Sequence, residues 1–202
     1  MDAKYWDERY GQHEQMFSGN PNGVLVVEAP GLTPGQALDV GCGEGADALW
    51  LARHGWQVTA VDISQVALER AARAGKDVEG KVAWIRADLA DAPLPPHSFD
   101  LVSLQYFPLP RQPEHATLRR LLAAVAPGGT LLFVGHNLDD FPPEHTRDFD
   151  PRSFYQPDEV AELLGDDGDA WTVLANETRA RTAPAPAGTH HVSDVVLRAR
   201  RR

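Results

Sequence analysis

Apolar positions follow two alternating spacings along the first two thirds of this 202-residue chain. Residues 36–41 (Gln-Ala-Leu-Asp-Val-Gly) read as a short buried strand entering a glycine turn. Helical spacing follows over 46–54, where Leu49, Trp50 and Arg53 precede a C-cap at Gly55. Residues 57–62 predict a second strand, and Ser64 can cap a helix carrying Val66, Leu68, Ala71 and Ala72. Two more strands are predicted over 81–87 and 99–104. Leu118, Leu121, Leu122 and Val125 then form a helical stripe that stops at Pro127-Gly128-Gly129, ahead of a fifth strand over 130–134. Strands alternating with helices imply βαβ units, hence a largely parallel sheet with helices on both faces.

The pattern changes after residue 135. Residues 136–157 are loop-like and rich in Pro, Asp and His, and Pro157 suits the first turn of a helix over 158–164. Two strand-like runs, near 171–177 and 192–199, flank the Pro/Ala/Gly segment 183–188 with no helix between them. They predict an antiparallel hairpin at a sheet edge. The expectation is one α/β domain over 1–202, Rossmann-like, with seven strands and the hairpin last. It divides into an N-terminal segment (1–30), a core (36–135) and a loop-plus-hairpin portion (136–202).

Hydrophobic residues at 43% and charged residues at 24% fit a globular chain of this length. A net charge of −10 argues against binding along a phosphate backbone. The one basic run, Arg198, Arg200, Arg201 and Arg202, reads as a solvated strand end. Cys42 is the single cysteine, which excludes an intramolecular disulfide and points to a reducing compartment. Residues 1–10 lack the apolar core of a signal peptide, and no apolar run approaches the roughly 20 residues that span a bilayer. These features predict a cytoplasmic protein, monomer or homodimer, with neither nucleic acid nor membrane as partner.

The sharpest local feature is Leu38-Asp39-Val40-Gly41-Cys42-Gly43-Glu44-Gly45. Alternating glycines between a strand and a helix let backbone pass close to a ligand, and the helix N-terminus adds unpaired N–H groups. Gly41-x-Gly43-x-x-Ala46 also satisfies a dinucleotide fingerprint, so an NAD(P)-dependent oxidoreductase is a rival reading. Asp62 ends the second strand 21 residues after Gly41, where a carboxylate can accept both hydroxyls of a ribose. Its alternative is an N-cap role, which Ser64 fills more naturally. Asp88 ends the third strand beside Leu89. There a carboxylate can accept from an exocyclic amine while a backbone N–H donates to a ring nitrogen. The alternative is a loop aspartate in solvent. All these features fall at the carboxyl ends of strands, where open α/β sheets bind their ligands.

In order and spacing, five segments resemble the motifs of class I S-adenosylmethionine-dependent methyltransferases over nearly the whole chain. They are Asp39-Val-Gly-Cys-Gly-Glu-Gly45, Asp62-Ile63, Asp88-Leu89, Phe99-Asp-Leu-Val102 and Pro127-Gly-Gly129. The resemblance implies S-adenosylmethionine as cofactor, with Asp39, Gly41 and Gly43 at its methionine part. It further implies Asp62 on the ribose, Ile63 packed on adenine, Asp88 and Leu89 at the adenine edge, and Gln105 near the sulfonium. Tyr5-Trp6-Asp7-Glu8-Arg9-Tyr10 and Phe17-Ser-Gly-Asn-Pro-Asn22 look like the small bacterial tellurite-resistance and thiol-methyltransferase-like branch. That likeness implies a lid containing Trp6. The alternative is that Trp6 and Tyr10, four apart on a helix, simply pack on the core. The oxidoreductase rival leaves the strand-borne Asp39 and the Asp88-Leu89 pair unexplained. Gln105-Tyr-Phe-Pro108 stands where enzymes that methylate nucleic-acid base amines carry an Asn/Asp-Pro-Pro-Tyr/Phe motif, which favours a small-molecule acceptor.

Methyl transfer from a sulfonium is an SN2 displacement, so the protein must align the partners and remove a proton where the acceptor carries one. A thiolate or chalcogen anion asks less of a base than a hydroxyl or a protonated amine. His136, after the fifth strand, is the candidate base; a loop histidine bonded to backbone is the alternative. His190 and His191 join it only if the last strand runs so that its start meets the same edge. Tyr106 and Phe107 wall an acceptor pocket or pack in the core. His136, His145, His190 and His191 with Asp139 and Asp140 lack the tight spacing of a zinc site, so no metal is expected. Cys42 suits the turn by its small size rather than as a nucleophile. A non-catalytic module that keeps the cofactor fold is the second rival, and the intact motif set argues against it.

Overall fold

The computed structural model describes residues 1–141, 150, 153–166, 168–182 and 191–202. Five strands, β1 (Gln36–Val40), β2 (Gln57–Asp62), β3 (Val82–Arg86), β4 (Phe99–Gln105) and β5 (Val125–His136), run parallel. Two more, β6 (Trp171–Ala180) and β7 (Ser193–Arg201), join antiparallel. The sheet order is β3-β2-β1-β4-β5-β7-β6. This is the expected single Rossmann-like α/β domain with a terminal hairpin.

The central strands are apolar on both faces because helices cover both. Leu38, Val40, Val102, Leu104 and Phe133 face α5 (Ala116–Ala124) and α6 (Pro157–Asp166), which bury Leu118, Leu121, Val160 and Leu164 against them. On the other face, Ala37, Val58, Ala60, Leu101 and Val134 pack with α2 (Gly23–Glu28) and α3 (Ala46–Arg53). Next to α3 lies α4 (Gln65–Ala74), capped by Ser64, whose Oγ accepts from Ala67 N. The first helix, α1 (Ala3–Gly11), starts at Asp2, whose carboxylate accepts from Tyr5 N, and docks on α4.

Three sequence expectations change. Pro127-Gly128-Gly129 does not stop α5, which ends at Ala124; the three residues lie inside β5. Pairing with β4 jumps there from Phe99↔Val125 to Leu101↔Thr130, a bulge that tolerates a proline without an N–H and a Gly128 at φ +78°. Of the C-terminal arginines, Arg198 and Arg201 are bound rather than solvated, while Arg200 and Arg202 are exposed. Arg201 Nη1 donates to the carbonyls of Leu122, Ala123 and Val125, capping the end of α5, and Arg198 pairs with Glu28. Helix α2 was not foreseen, because Val24-Leu25-Val26-Val27 is too short an apolar run for period to separate helix from strand.

The direction of β7 is the fold's main contribution to the site. His136, ending β5, pairs with Asp194 at the start of β7. The beginning of the last strand therefore meets the edge where β1, β2, β4 and β5 all end.

Candidate active site

The glycine turn folds back on β2. Gly41 N and Cys42 N both donate to Val61 O, at 2.8 and 3.0 Å, and Gly45 N donates to Cys42 O at 2.9 Å. Gly41 sits at φ +68°, and a Cβ there would come within 2.2 Å of Phe107 Cδ2. Gly43, at φ +52°, would place a Cβ 2.8 Å from the Tyr10 hydroxyl oxygen. The turn is thus held between Phe107 on one side and Tyr10 on the other, and neither position accepts a side chain.

Asp62 clasps this turn to the next helix. Its Oδ2 accepts from Gly43 N and its Oδ1 from Ser64 N, both at 2.8 Å. Burial raises its pKa above the ordinary carboxylate value, against the lowering effect of those N–H groups. Asp39 is 2% exposed, and its Oδ2 has no hydrogen-bond partner among the described residues. Burial first, then the charges of Asp47 and Asp62, push its carboxyl well above the usual range. Gln105 Nε2 donates to Ser103 Oγ at 3.0 Å, leaving its buried Oε1 also without a donor. Asp39 is in register with Ser103, so Asp39, Ser103 and Gln105 rise on one face of the sheet. Two buried acceptors without donors are costly, so this face is suited to a ligand that brings N–H groups or positive charge.

Three acids near the turn hold the N-terminal segment. Asp47, buried at the start of α3, accepts from Asn22 N and Asn22 Nδ2 at 2.7 and 2.8 Å. Glu44 accepts from Met16 N and Phe17 N at 3.1 and 3.0 Å and pairs with Arg70 at 2.9 Å. Asp7 of α1 accepts from Ser64 Oγ at 2.7 Å. Sequence reasoning missed this clamp, although Glu44 stands inside the glycine motif, Asp47 lies in the first turn of α3, and acids at a helix start invite N–H donors. Trp6 is half-buried beside Tyr10, with ring centres 6.1 Å apart and the Arg9 guanidinium over the indole. Ile63 is half-buried. Asp88 is exposed with Oδ1 accepting from Ala90 N, while Leu89 joins the core.

Across the turn, Tyr106 adopts φ +56°, and its hydroxyl donates to Asp194 Oδ1 at 2.9 Å. Its ring stacks on His136 at 4.4 Å, and His191 stacks on His136 at 3.9 Å. The structure thus unites His136 and His191, which the sequence left open; His145 and His190 lie outside the described residues. Burial, then His191 and Arg181, drive the pKa of His136 down to about 3, so its imidazole is neutral at physiological pH. Among the described residues no cluster of His, Cys, Asp and Glu is suited to a metal ion. Burial pushes the Cys42 thiol well up, which keeps it protonated and unsuited to nucleophilic work.

Beside the histidines opens a cleft of about 450 Å³, its solvent-filled mouth included. Phe107, the ring over Gly41, also lines this cleft, so cleft and glycine turn share a wall.

Comparison with known proteins agrees with this geometry. Residues 37–129 match the family model described as a methyltransferase domain. An uncharacterized methyltransferase of Mycobacterium tuberculosis is 40% identical over 97 residues, 48% of each chain. The chain spans about half the length of the curated relatives it matches. A structure described as "Conversion of a Disulfide Bond into a Thioacetal Group during Echinomycin Biosynthesis" superposes with a TM-score of 0.75 at 22% identity. It covers 98% of this chain and 91% of that one. TehB from Haemophilus influenzae superposes with a TM-score of 0.69 at 18% identity, covering 99% of this chain and 67% of that one. At such identities the two structures speak for the fold alone. No helix among the described residues is long and apolar enough to cross a membrane. The matched segment runs from the first core strand to the bulge of the fifth, and over residues 37–129 this chain is similar to a methyltransferase domain.

Proposed function

We propose that the protein is an S-adenosylmethionine-dependent methyltransferase acting on a small molecule through sulfur or another chalcogen, oxygen or nitrogen. The observation that carries this is the pair of unpartnered buried acceptors, Asp39 Oδ2 and Gln105 Oε1, beside a glycine turn at the carboxyl ends of the central strands. When bound, S-adenosylmethionine supplies an electrophilic methyl group on a sulfonium. Asp39, with Gly41 and Gly43, receives the methionine part, whose ammonium answers the orphaned carboxylate oxygen. Gln105 stands near the sulfonium. Asp62 holds the ribose while it braces the turn, Ile63 packs on adenine, and Asp88 with the backbone of Leu89 reads the adenine edge. The domain match speaks for methyl transfer over hydride transfer.

Residues 36–135 form the cofactor core, and residues 136–202 supply the acceptor side. His136 and His191 border the acceptor. Because His136 is a weak base, a proton it accepts passes on to water rather than staying on the ring. Residues 1–30, Trp6 among them, form a lid, as the likeness to the tellurite-resistance and thiol-methyltransferase-like branch implies. The clamp by Glu44, Asp47 and Asp7 supports that role. With one cysteine and an acidic surface, the enzyme is placed in the cytoplasm as a monomer or homodimer, apart from nucleic acid and membrane.

Calorimetric titration with S-adenosylhomocysteine, with NAD and NADP as controls, tests the assignment. Micromolar binding of S-adenosylhomocysteine alone is the expected result; binding of a nicotinamide cofactor in its place would return the glycine turn to the oxidoreductase reading. The lid has its own check. Deleting residues 1–22 is expected to weaken S-adenosylhomocysteine roughly tenfold or more, the loss of one or more charge-assisted hydrogen bonds, while far-UV circular dichroism still reports a folded sheet. Undiminished affinity in the truncated protein removes the lid from the account.

A further inference from the structure

The described residues that line the cleft beside the glycine turn are mostly rings. Phe107, His136, Phe141, Phe154 and Tyr155 line it, and the main side-chain amide on its wall is that of Gln156. Among the described residues that line it there is no Lys, Arg, Asp or Glu. The ionic groups nearby are spent behind it: Asp194 accepts from Tyr106 and from Arg181, whose Nη1 lies 3.0 Å away. The imidazole of His136 is stacked between Tyr106 and His191, with Phe141 edge-on to both histidines at 6.0 and 4.8 Å. This arrangement fixes the walls before any acceptor enters.

From this lining we infer that the methyl acceptor is an uncharged, planar aromatic molecule bearing one nucleophilic hydroxyl or thiol. The inference rests on the methyltransferase reading and narrows its acceptor. A carboxylate or ammonium entering the cleft would lose its hydration and find no counter-charge among the described lining residues. Ring walls favour a flat ring over a saturated one of equal size, through offset and edge-to-face contacts. Among the described lining residues the side-chain polar groups are the Gln156 amide, the His136 imidazole, the Tyr106 hydroxyl, which is spent on Asp194, and the Tyr155 hydroxyl, which pairs with His115 Nδ1. They suit a ligand with a single polar substituent. Phe107 lies on Gly41 as well as in the cleft, so an acceptor seated there borders the proposed methyl donor. In the reaction the acceptor heteroatom forms a bond to the methyl carbon as the carbon–sulfur bond breaks. Sulfur keeps the bonding pair, leaving S-adenosylhomocysteine, and the heteroatom's proton goes to water.

The test uses the full chain saturated with S-adenosylhomocysteine and three probes: 2-naphthol, decahydro-2-naphthol and 6-hydroxy-2-naphthoate. Calorimetry or ligand-observed NMR should show 2-naphthol binding. The saturated analogue should bind roughly three- to tenfold more weakly, the range of an aromatic contact. The carboxylate should bind about tenfold or more weakly. Phe141→Ala should weaken 2-naphthol while leaving affinity for S-adenosylhomocysteine unchanged, which also controls for folding. If S-adenosylhomocysteine binds but 2-naphthol does not, or if the saturated or charged probe binds as well, the aromatic-acceptor inference is overturned and the cofactor assignment stands. If S-adenosylhomocysteine itself fails to bind, the underlying methyltransferase reading falls first.

Discussion

Asp62→Ala is expected to lower the affinity for S-adenosylhomocysteine by about 1–3 kcal/mol, roughly five- to more than a hundredfold. Two causes add. The carboxylate is the proposed acceptor for the ribose, and it also fixes Gly43 N and Ser64 N, at 2.8 Å each. Without it, two buried backbone donors lose their partner and the turn loses its brace to α4. Asp62→Asn separates the causes. An amide retains one acceptor oxygen for the backbone but brings an N–H toward a neighbouring donor, so it should fall between wild type and alanine. Calorimetric titration reads both variants, and wild-type affinity in Asp62→Ala would mean that the ribose lies elsewhere.

The second large effect concerns acid stability. Between pH 7.5 and 4.5 the wild-type protein should lose about 2–3 kcal/mol more stability than His136→Phe. The folded imidazole takes up a proton only near pH 3, because burial, His191 and Arg181 oppose its charge. An unfolded histidine takes up its proton near 6.5. In the window between, the unfolded chain binds more protons, so stability falls as pH falls through it; above about 6.5 the two states match and the effect is gone. Asp39 and Asp47, whose carboxyls burial raises, act in the opposite direction but are common to both proteins and cancel in the comparison. Urea unfolding at the two pH values gives the difference directly. Equal losses would show that His136 is not held neutral in the folded protein.

These two residues show how unevenly the chain reveals itself. The succession of strands and helices and the glycine turn were legible because strand–helix alternation and clustered glycines leave local marks. Asp62 was legible as a strand-end acid, but its clasp on Gly43 was not, since that bond depends on how the turn folds back over β2. His136 was a candidate by position alone. Its neutral state comes first from burial and then from His191, 55 positions away, and Arg181, both brought to it by the antiparallel direction of β7. A hairpin signal predicts that two strands pair but does not say which edge receives them. The clamp between Glu44, Asp47 and the N-terminal segment was hidden for another reason: it uses backbone donors at Met16, Phe17 and Asn22, which no side-chain pattern announces.

The order β5-β7-β6 also bears on how the chain is made. Strand β6 leaves the ribosome before β7, yet in the finished sheet it touches β5 only through β7. Until the last strand threads between them, β5 presents an open row of backbone donors and acceptors, and β6 has nowhere to pair. Strands β1 to β5 can assemble during synthesis, whereas β6 and β7 must wait for long-range pairing, the slow class of folding event. Until β7 is in place, the open edge of β5 therefore needs protection from pairing with other chains.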